Sequence, residues 1–121
     1  MGTPALHHVQ LFYPPGQESA ALAFYVGRLG LREIARLTEG GGRAGIWLAA
    51  GEGQVHLSED QDLALHPRRH FALQVDDLGA ALAPLRAAGD VLEDAEPVIP
   101  GWRRIYCLDP FGNRIELDEI S

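Results

Sequence analysis

The chain carries one pattern of residues twice, and this internal repeat limits its possible folds more than any other feature of its 121 residues. His8 and His56 lie 48 positions apart (56 − 8), and His70 and Glu116 lie 46 positions apart (116 − 70). The apolar residues beside these positions also correspond between the two halves. We therefore interpret the chain as one structural unit present twice, each copy offering two side chains of metal-ligand type.

The composition is that of a globular protein, with 46% hydrophobic and 22% charged residues. A length of 121 residues suits one compact domain, so we predict a single domain over residues 1–121. The formal net charge is −7 and there is no run of Lys or Arg, so we expect neither nucleic acid nor a membrane surface as a partner. No apolar run reaches the ~18 residues of a membrane-spanning helix.

Cys107 is the only cysteine, which excludes an intrachain disulfide and fits a reducing cytoplasm. The first residues lack the charged and apolar regions of a secretory signal, so we expect a cytoplasmic protein. Cys107 has no evident base partner in the sequence. We interpret it as a small buried hydrophobic residue rather than a nucleophile.

Alternation of apolar and polar residues, with breaks at glycine and proline, predicts the same order of elements in each half. In module 1, about residues 5–59, we predict a strand, a helix and three strands at 5–13, 18–29, 31–37, 43–50 and 53–59. In module 2, about residues 69–119, the same order is predicted at 70–75, 78–88, 90–96, 102–108 and 113–119. Residues 60–68 are the predicted linker. The expected fold class is α+β, with two tandem βαβββ modules and mixed sheets.

Local signals mark the helix ends. Gly30 and Gly89 are expected to end the two helices, and Asp76 or Asp77 to cap the start of the second. Pro84 lies inside the second predicted helix, where it would remove one hydrogen bond or introduce a kink. We keep the helix prediction despite this conflict.

Strand parity places the four ligand-type residues on one face. His56, for example, lies between Val55 and Leu57, and the other three also lie next to apolar residues of their strands. Because successive side chains point to opposite faces, the apolar neighbours should pack on the helices and the polar residues should project from the other, concave face. If the first and last strands of each module pair, the two candidates of that module come close together.

Three imidazoles and one carboxylate suit a single divalent ion such as Zn, Fe, Ni, Co or Mn. They do not suit Ca or Mg, which prefer oxygen ligands. His8, His70 and Glu116 alone would form the two-histidine, one-carboxylate set typical of non-haem Fe(II) sites.

Other polar residues are interpreted more simply. His7 has the opposite parity and is expected to be structural, and His66 is expected to be solvated in the linker. Arg103 and Arg104, beside Trp102, could meet an anionic substrate, although we favour a solvated strand edge.

Four segments resemble the vicinal oxygen chelate superfamily, the group of glyoxalases, bleomycin-resistance proteins and extradiol dioxygenases. They are residues 6–11, 24–31, 70–78 and 109–117. The resemblance covers nearly the whole chain. The Phe-Tyr…Leu-Gly-Leu and Asp-Pro-Phe-Gly-Asn…Glu motifs are specific to the superfamily but not to one activity.

The resemblance implies sheets that curl into a metal-binding cup with the helices on its convex side. It also implies His8, His70 and Glu116 as ligands on the first, fifth and eighth strands. His56 falls at the fourth-strand position, where lactoylglutathione lyases carry Glu and acyl-CoA epimerases carry Gln, and it departs from both. A homodimer is implied as well, whose modules could be exchanged between chains through residues 60–68.

We therefore expect a glyoxalase-like, divalent-metal-dependent enzyme that acts on a small oxygenated metabolite. The chemistry would be that of a lyase or isomerase, with two neighbouring substrate oxygens chelated to the metal and Glu116 or a metal-bound hydroxide as the catalytic base. Two alternatives stay open: an Fe(II) extradiol-type dioxygenase, and a non-catalytic protein of bleomycin-resistance type that sequesters a drug or metabolite. The presence of all four candidate ligands favours an enzyme over sequestration.

Overall fold

The structure is a computed structural model that describes residues 2–37 and 44–121; the glycine cluster at 40–42, predicted as a break, lies outside these ranges. The strands are His8–Tyr13 (β1), Arg32–Ile34 (β2), Gly45–Ala50 (β3), Gly53–Glu59 (β4), His70–Gln74 (β5), Leu92–Asp94 (β6), Trp102–Leu108 (β7) and Arg114–Ile120 (β8). The helices are Glu18–Leu22 (α1), which continues as a π-helix over Ala23–Arg28, and Leu78–Ala87 (α2).

Within the described residues the strands form two four-stranded mixed sheets of the same topology. Their orders are β1-β4-β3-β2 and β5-β8-β7-β6. In each sheet the first strand runs parallel to the last, and the other neighbours are antiparallel. The registers also match, since Gln10 pairs with His56 and Ala72 pairs with Glu116. The predicted α+β class is confirmed, and the sequence repeat is also a repeat of strand pairing.

The strand bounds differ from prediction mainly at the sheet edges. β4 and β7 have the predicted bounds, 53–59 and 102–108. The edge strands β2 and β6 contain only three residues each, although seven were predicted at 31–37 and 90–96. An edge strand has a partner on one side only, so its regular structure ends where that pairing ends. β1 begins at His8 rather than at residue 5, because its ladder with β4 begins with the His8–Gln54 pair.

The first helix is present but is not α-helical throughout. Only its first five residues form α1, and the backbone N–H of Leu29 donates to the carbonyl of Phe24 at 2.7 Å, the i→i+5 spacing of a π-helix. Phe24 and Tyr25 in this segment are both fully buried. Gly30, with φ of +85°, ends the segment in the left-handed conformation that glycine adopts without strain.

The second helix forms despite Pro84. The Asp77 side chain caps its N-terminus by accepting the N–H of Ala80 at 3.0 Å, and Gly89, with φ of +77°, follows its end. Pro84 lies on the exposed side, so its ring stays out of the core and the helix loses one backbone hydrogen bond. No helix of the described ranges is long and apolar enough to cross a membrane.

One hydrophobic cluster joins the helices to the apolar faces of both sheets. Its buried members are Tyr13, Ala21, Phe24, Tyr25, Ile46, Leu48, Val55, Leu57, Leu78, Leu82, Leu85, Cys107, Ile115 and Leu117. The helices therefore cover the face that carries Val55, Leu57, Ile115 and Leu117, as strand parity predicts. The opposite face of each sheet is left for polar residues.

A buried carboxylate links the two modules. Asp109 Oδ1 accepts the backbone N–H groups of Phe111 and Asn113 at 2.9 and 2.8 Å. Its Oδ2 accepts the Tyr25 hydroxyl at 2.7 Å and the Asn113 side-chain amide at 2.8 Å. The same amide of Asn113 donates to the Phe12 carbonyl at 3.0 Å. The turn between β7 and β8 is thereby tied to the first helix and the first strand.

Arg28 and Asp90 form a second link between the modules. The Arg28 guanidinium donates through Nε and Nη2 to the two carboxylate oxygens of Asp90, at 2.7 and 3.0 Å. The Arg28 side chain is 25% exposed and that of Asp90 is 11% exposed. This two-bond geometry orients the end of the first helix against the loop that follows α2.

Replacement of Tyr25 by Phe should lower the free energy of unfolding by about 2 kcal/mol, because a buried carboxylate loses one hydrogen-bond donor. Urea denaturation followed by circular dichroism measures this change. The ring of Phe would still fill the core, so the fold itself is expected to persist.

Tyr13→Phe is the matched control for this prediction. Tyr13 is equally buried, but its hydroxyl has no hydrogen-bond partner among the described residues. Its removal should leave stability unchanged or raise it slightly. Equal losses of stability in the two variants would contradict the role assigned to the Tyr25–Asp109 hydrogen bond.

Candidate functional site

The two histidines of the first module stack on the polar face of its sheet. His8 is exposed at the start of β1, whereas His56 on β4 is only 6% exposed. Their ring centroids are 4.1 Å apart, with an interplanar angle of 17°. Because Gln10 is the direct cross-strand partner of His56, the stack is a diagonal contact between paired strands.

Trp47 of β3 covers the other face of the His56 ring. The two rings are 4.3 Å apart and almost parallel, at 4°, since Trp47 and His56 are cross-strand partners. The Nε2–H of His56 donates to the Gln54 side-chain carbonyl at 2.7 Å. The first module therefore presents a stack of three rings, in the order His8, His56 and Trp47, with its central ring held in place by Gln54.

The environment keeps His56 neutral. Burial lowers the pKa of His56 below its ordinary value, and the nearby imidazoles of His8 and His7 lower it further. A neutral imidazole is the form that binds a metal ion. Because Nε2 donates its proton to Gln54, the free lone pair of this neutral ring is on Nδ1.

His70 and Glu116 form the equivalent pair in the second module. His70 Nε2 lies 3.3 Å from Glu116 Oε1, and Glu116 is only 5% exposed. The other ring nitrogen, Nδ1, donates to the backbone carbonyl of Arg68 at 2.8 Å. This hydrogen bond fixes the ring with Nε2 toward the carboxylate, and metal-binding histidines commonly make such a bond.

Arg104 of β7 holds the carboxylate of Glu116 from the other side. Its Nη2 and Nε lie 3.2 and 3.4 Å from the two carboxylate oxygens, and its side chain is only 10% exposed. Arg104 is fixed in turn by a hydrogen bond to the Pro97 carbonyl at 2.6 Å. The Tyr106 ring contacts His70, with centroids 4.9 Å apart. Glu116 is therefore surrounded by polar groups although it is buried.

These contacts separate the pKa values of two neighbouring carboxyls on β8. Burial alone would raise the pKa of Glu116, but hydrogen bonds from Arg104 and the charge of that guanidinium hold it below its usual range. Burial, and then the hydrogen bond and negative charge of Glu116, raise the pKa of Asp118 to about 6. At neutral pH Glu116 is thus the firmly ionised member of the pair.

The two pairs do not form one cluster within a single chain. Across residues 2–37 and 44–121, no group of three or more His, Cys, Asp or Glu side chains is close enough to hold a metal ion. The structure brings His8 to His56 and His70 to Glu116, but leaves the pairs on separate sheets. Each module presents half of the predicted four-residue set.

The residues present fit a divalent metal ion to different degrees. His70 and Glu116 offer an oriented imidazole nitrogen beside an ionised carboxylate, which is a suitable pair of ligands for Zn, Mn or Fe(II). His8 is exposed and can offer a ring nitrogen. His56 fits less well, because it is sandwiched between two rings and its Nε2 already donates to Gln54.

The remaining predicted residues have varied positions. His7 precedes β1, so strand parity does not govern it, and its Nδ1 lies 3.0 Å from that of His8. His66 is exposed in the linker, where its Nδ1 accepts the N–H of Arg68. Arg103 is exposed and lies 3.5 Å from Glu119. The prediction of a solvated edge was wrong for Arg104, which faces Glu116.

Sequence reasoning missed the residues that surround the candidate ligands. Trp47, Gln54, Arg104 and Asp118 all lie on the same faces as the ligand-type residues, at cross-strand or next-but-one positions. Trp47 and Arg104 could be found only once the strand order and register were known. Parity alone gives a signal for Gln54 and Asp118, which lie two positions from His56 and Glu116 on the same strands.

Comparison with known proteins finds, over almost the whole chain, the family that the sequence motifs resemble. The family model described as the Glyoxalase/Bleomycin resistance protein/Dioxygenase superfamily matches residues 5–117. The crystal structure of a glyoxalase family protein from Bacillus anthracis is similar, with 32% sequence identity and a TM-score of 0.88. That likeness covers 100% of this chain and 98% of the other. No curated protein sequence gives a significant match.

Two more distant structures share the fold. The fosfomycin resistance protein FosX from Listeria monocytogenes is 19% identical, with a TM-score of 0.79, over 99% of this chain and 96% of that one. TnmS3, an antibiotic binding protein from Streptomyces sp. CB03234, is 23% identical, with a TM-score of 0.75, over 100% of this chain and 99% of that one.

Cys107 should react very slowly with thiol reagents in the folded protein. It is fully buried, and that burial, followed by the charges of Asp90 and Asp109, raises the pKa of its thiol to about 12. Labelling with a disulfide reagent at pH 8 should be at least about 100-fold slower than in urea-unfolded protein. Comparable rates in the two states would show that the thiol is accessible and would contradict its assignment to the core.

Proposed function

Because the chain belongs to the glyoxalase/bleomycin resistance protein/dioxygenase superfamily, we propose that it is a divalent-metal-dependent enzyme acting on a small oxygenated metabolite. The observation that carries the proposal is the geometry of His70 and Glu116. An imidazole whose Nδ1 is fixed by a backbone carbonyl presents Nε2 3.3 Å from a buried, ionised carboxylate. This is the arrangement that a pair of protein ligands needs before an ion binds.

The full site is proposed to form between two chains of a homodimer. One module holds His8 and His56, the other holds His70 and Glu116, and the described residues of one chain do not bring the two pairs together. The matching strand registers support equivalent roles for the two pairs. A partner module placed against the exposed His8 would complete a set of three or four ligands.

A cytoplasmic location, expected from the single cysteine, is part of the same proposal.

The metal, when bound, would act as a Lewis acid toward two neighbouring oxygens of the substrate. The side chains around the metal would orient the substrate and the group that accepts its proton. Arg104 and Tyr106 fix the carboxylate of Glu116, which we propose as the group that accepts a proton from the substrate. The face-to-face stack of Trp47, His56 and His8 would hold these three rings rigid and present their edges to a substrate. Lyase or isomerase chemistry fits these roles.

Two observations bear on the alternative functions, a dioxygenase and a non-catalytic binding protein. His56 is already engaged by Gln54 and Trp47, which favours a three-ligand set of His8, His70 and Glu116, as in an Fe(II) dioxygenase. Arg104 already supplies a cation to Glu116, which favours a protein that binds a drug or metabolite without metal, in the manner of an antibiotic binding protein. Aerobic turnover of a catechol would distinguish the dioxygenase from the lyase.

Removal of His70 or Glu116 should weaken metal binding by at least about 100-fold, since each would supply a direct ligand. We would titrate metal-stripped protein with Zn, Mn, Fe(II), Co and Ni by calorimetry, and compare wild type with His8→Ala, His56→Ala, His70→Ala and Glu116→Gln. Glu33→Gln is the matched control for Glu116→Gln, because it makes the same change at an exposed carboxylate of the edge strand β2 and should bind as wild type does.

Retained affinity in His56→Ala, with loss in the other three variants, would support the three-ligand set. A wild-type protein that takes up none of these ions would contradict the enzyme proposal and favour sequestration.

Complementation should reveal whether the site is shared between chains. A homodimer of His8→Ala and a homodimer of His70→Ala each lack a complete site if the ligands come from different chains. A heterodimer of the two would contain one complete site and one lacking both residues. After unfolding and refolding of an equal mixture, about a quarter of the wild-type metal capacity should return. No recovery of capacity would show that each site draws both histidines from one chain.

A further inference from the structure

A cavity of about 430 Å³ lies between the two modules, where the edge strands β1 and β5 approach each other. Residues 9–12 of β1 form one side, and His70 and Phe71 of β5 form another. The linker residues 63–66 and residues 112–114, where β8 begins, form further walls of this partly open cavity. A volume of this size is in the range of pockets that hold a small organic molecule.

The formally charged residues that line this cavity are all cationic. Its charged side chains are those of Arg69 and Arg114, which lie beside the imidazoles of His66 and His70, and none of its described lining residues is an aspartate or a glutamate. The protein as a whole has a net charge of −7, so a cavity without carboxylates is not a consequence of composition. A local excess of positive charge in a concave site raises the local concentration of anions.

The two arginines of the cavity are not neutralised by carboxylates. Arg114 donates through Nη1 to the Pro67 carbonyl at 2.8 Å, and its guanidinium lies 3.6 Å from the centre of the Tyr106 ring. Both contacts hold the side chain in place and leave its charge uncompensated. Arg69 is exposed and forms no hydrogen bond or ion pair with the described residues. Such arginines readily form strong hydrogen bonds with a carboxylate or a similar oxyanion.

The remainder of the lining is largely apolar. Val9, Leu11, Leu63, Leu65 and Phe71 contribute to it. The linker wall is ordered by its own contacts, since Asp62 Oδ1 accepts the N–H of Ala64 at 2.9 Å, while the Arg114–Pro67 hydrogen bond fixes its far end. The cavity therefore combines a preformed apolar surface with positive charge on one side.

From this combination we infer that the cavity binds an organic anion, one carboxylate or comparable oxyanion attached to a compact apolar body. The anionic group is held by Arg69 and Arg114, and the body lies against the aliphatic and aromatic side chains. His70 belongs both to this cavity and to the candidate metal pair, so the inference rests on the proposed function as far as it names the substrate class. Anion binding itself requires no metal.

The test compares two ligands of equal shape and different charge in metal-stripped, dialysed protein. Naphthalene-2-carboxylate and its neutral analogue naphthalene-2-carboxamide would be titrated by calorimetry at low and at physiological salt. The carboxylate should bind at least about 10-fold more tightly than the amide, with a preference that falls as salt rises.

Arg69→Gln and Arg114→Gln should each reduce this preference several-fold. Arg69 is exposed, so its variant should fold as wild type does. Arg103→Gln is the matched control: it makes the same change in net charge at an exposed site beside Glu119 and should keep the full preference.

Equal affinity for carboxylate and amide, absence of binding by both, or a full preference in Arg69→Gln and Arg114→Gln would each overturn the inference. Metal titration of the same samples distinguishes a failure of the anion-site inference from a failure of the proposed function. Wild type that binds metal but shows no preference for the carboxylate refutes the anion site alone. Wild type that prefers the carboxylate but binds no metal refutes the enzyme proposal alone.

Discussion

The buried carboxylate of Asp109 is the interaction on which the arrangement of the two modules depends. It accepts four hydrogen bonds, two from the backbone of its own turn, one from Asn113 and one from Tyr25, which is 84 positions away. A buried carboxylate is tolerated only when its oxygens are satisfied in this way. Because Asn113 also holds the Phe12 carbonyl, one charge fixes a hairpin turn, a helix and a strand relative to each other.

That fixed arrangement leaves each sheet with a helix-covered face and a polar face. The polar faces are built on the same register but carry different chemistry. The first module offers two imidazoles stacked beside an indole, and the second offers an imidazole beside a carboxylate held by Arg104. Repetition thus supplies the same geometry to both polar faces, and divergence of a few side chains gives one face two imidazoles and the other a carboxylate beside an imidazole. In the proposed enzyme these would serve as complementary ligand pairs.

Strand parity and motif spacing predicted much of this from the sequence. They located β4 and β7 at their observed bounds, and they placed His56 and Glu116 on the face opposite the core. Parity did not predict that Arg104 would face Glu116, because that contact depends on the antiparallel register of β7 with β8. Nor did it predict the Tyr25–Asp109 hydrogen bond, since a contact between distant segments follows from how the modules pack. The separation of the two ligand-type pairs onto different sheets also follows from how the modules pack, so parity could not predict it either.

The ring stack of the first module has a spectroscopic consequence. Trp47 is one of only two tryptophans in the sequence, and its indole lies face to face with the His56 imidazole at 4.3 Å. An excited indole is sensitive to the protonation and displacement of an imidazole at van der Waals distance. Any ligand, ion or partner chain that shifts His56 therefore changes the emission of Trp47. The protein thus carries its own fluorophore at one end of this stack of three rings, in direct contact with His56.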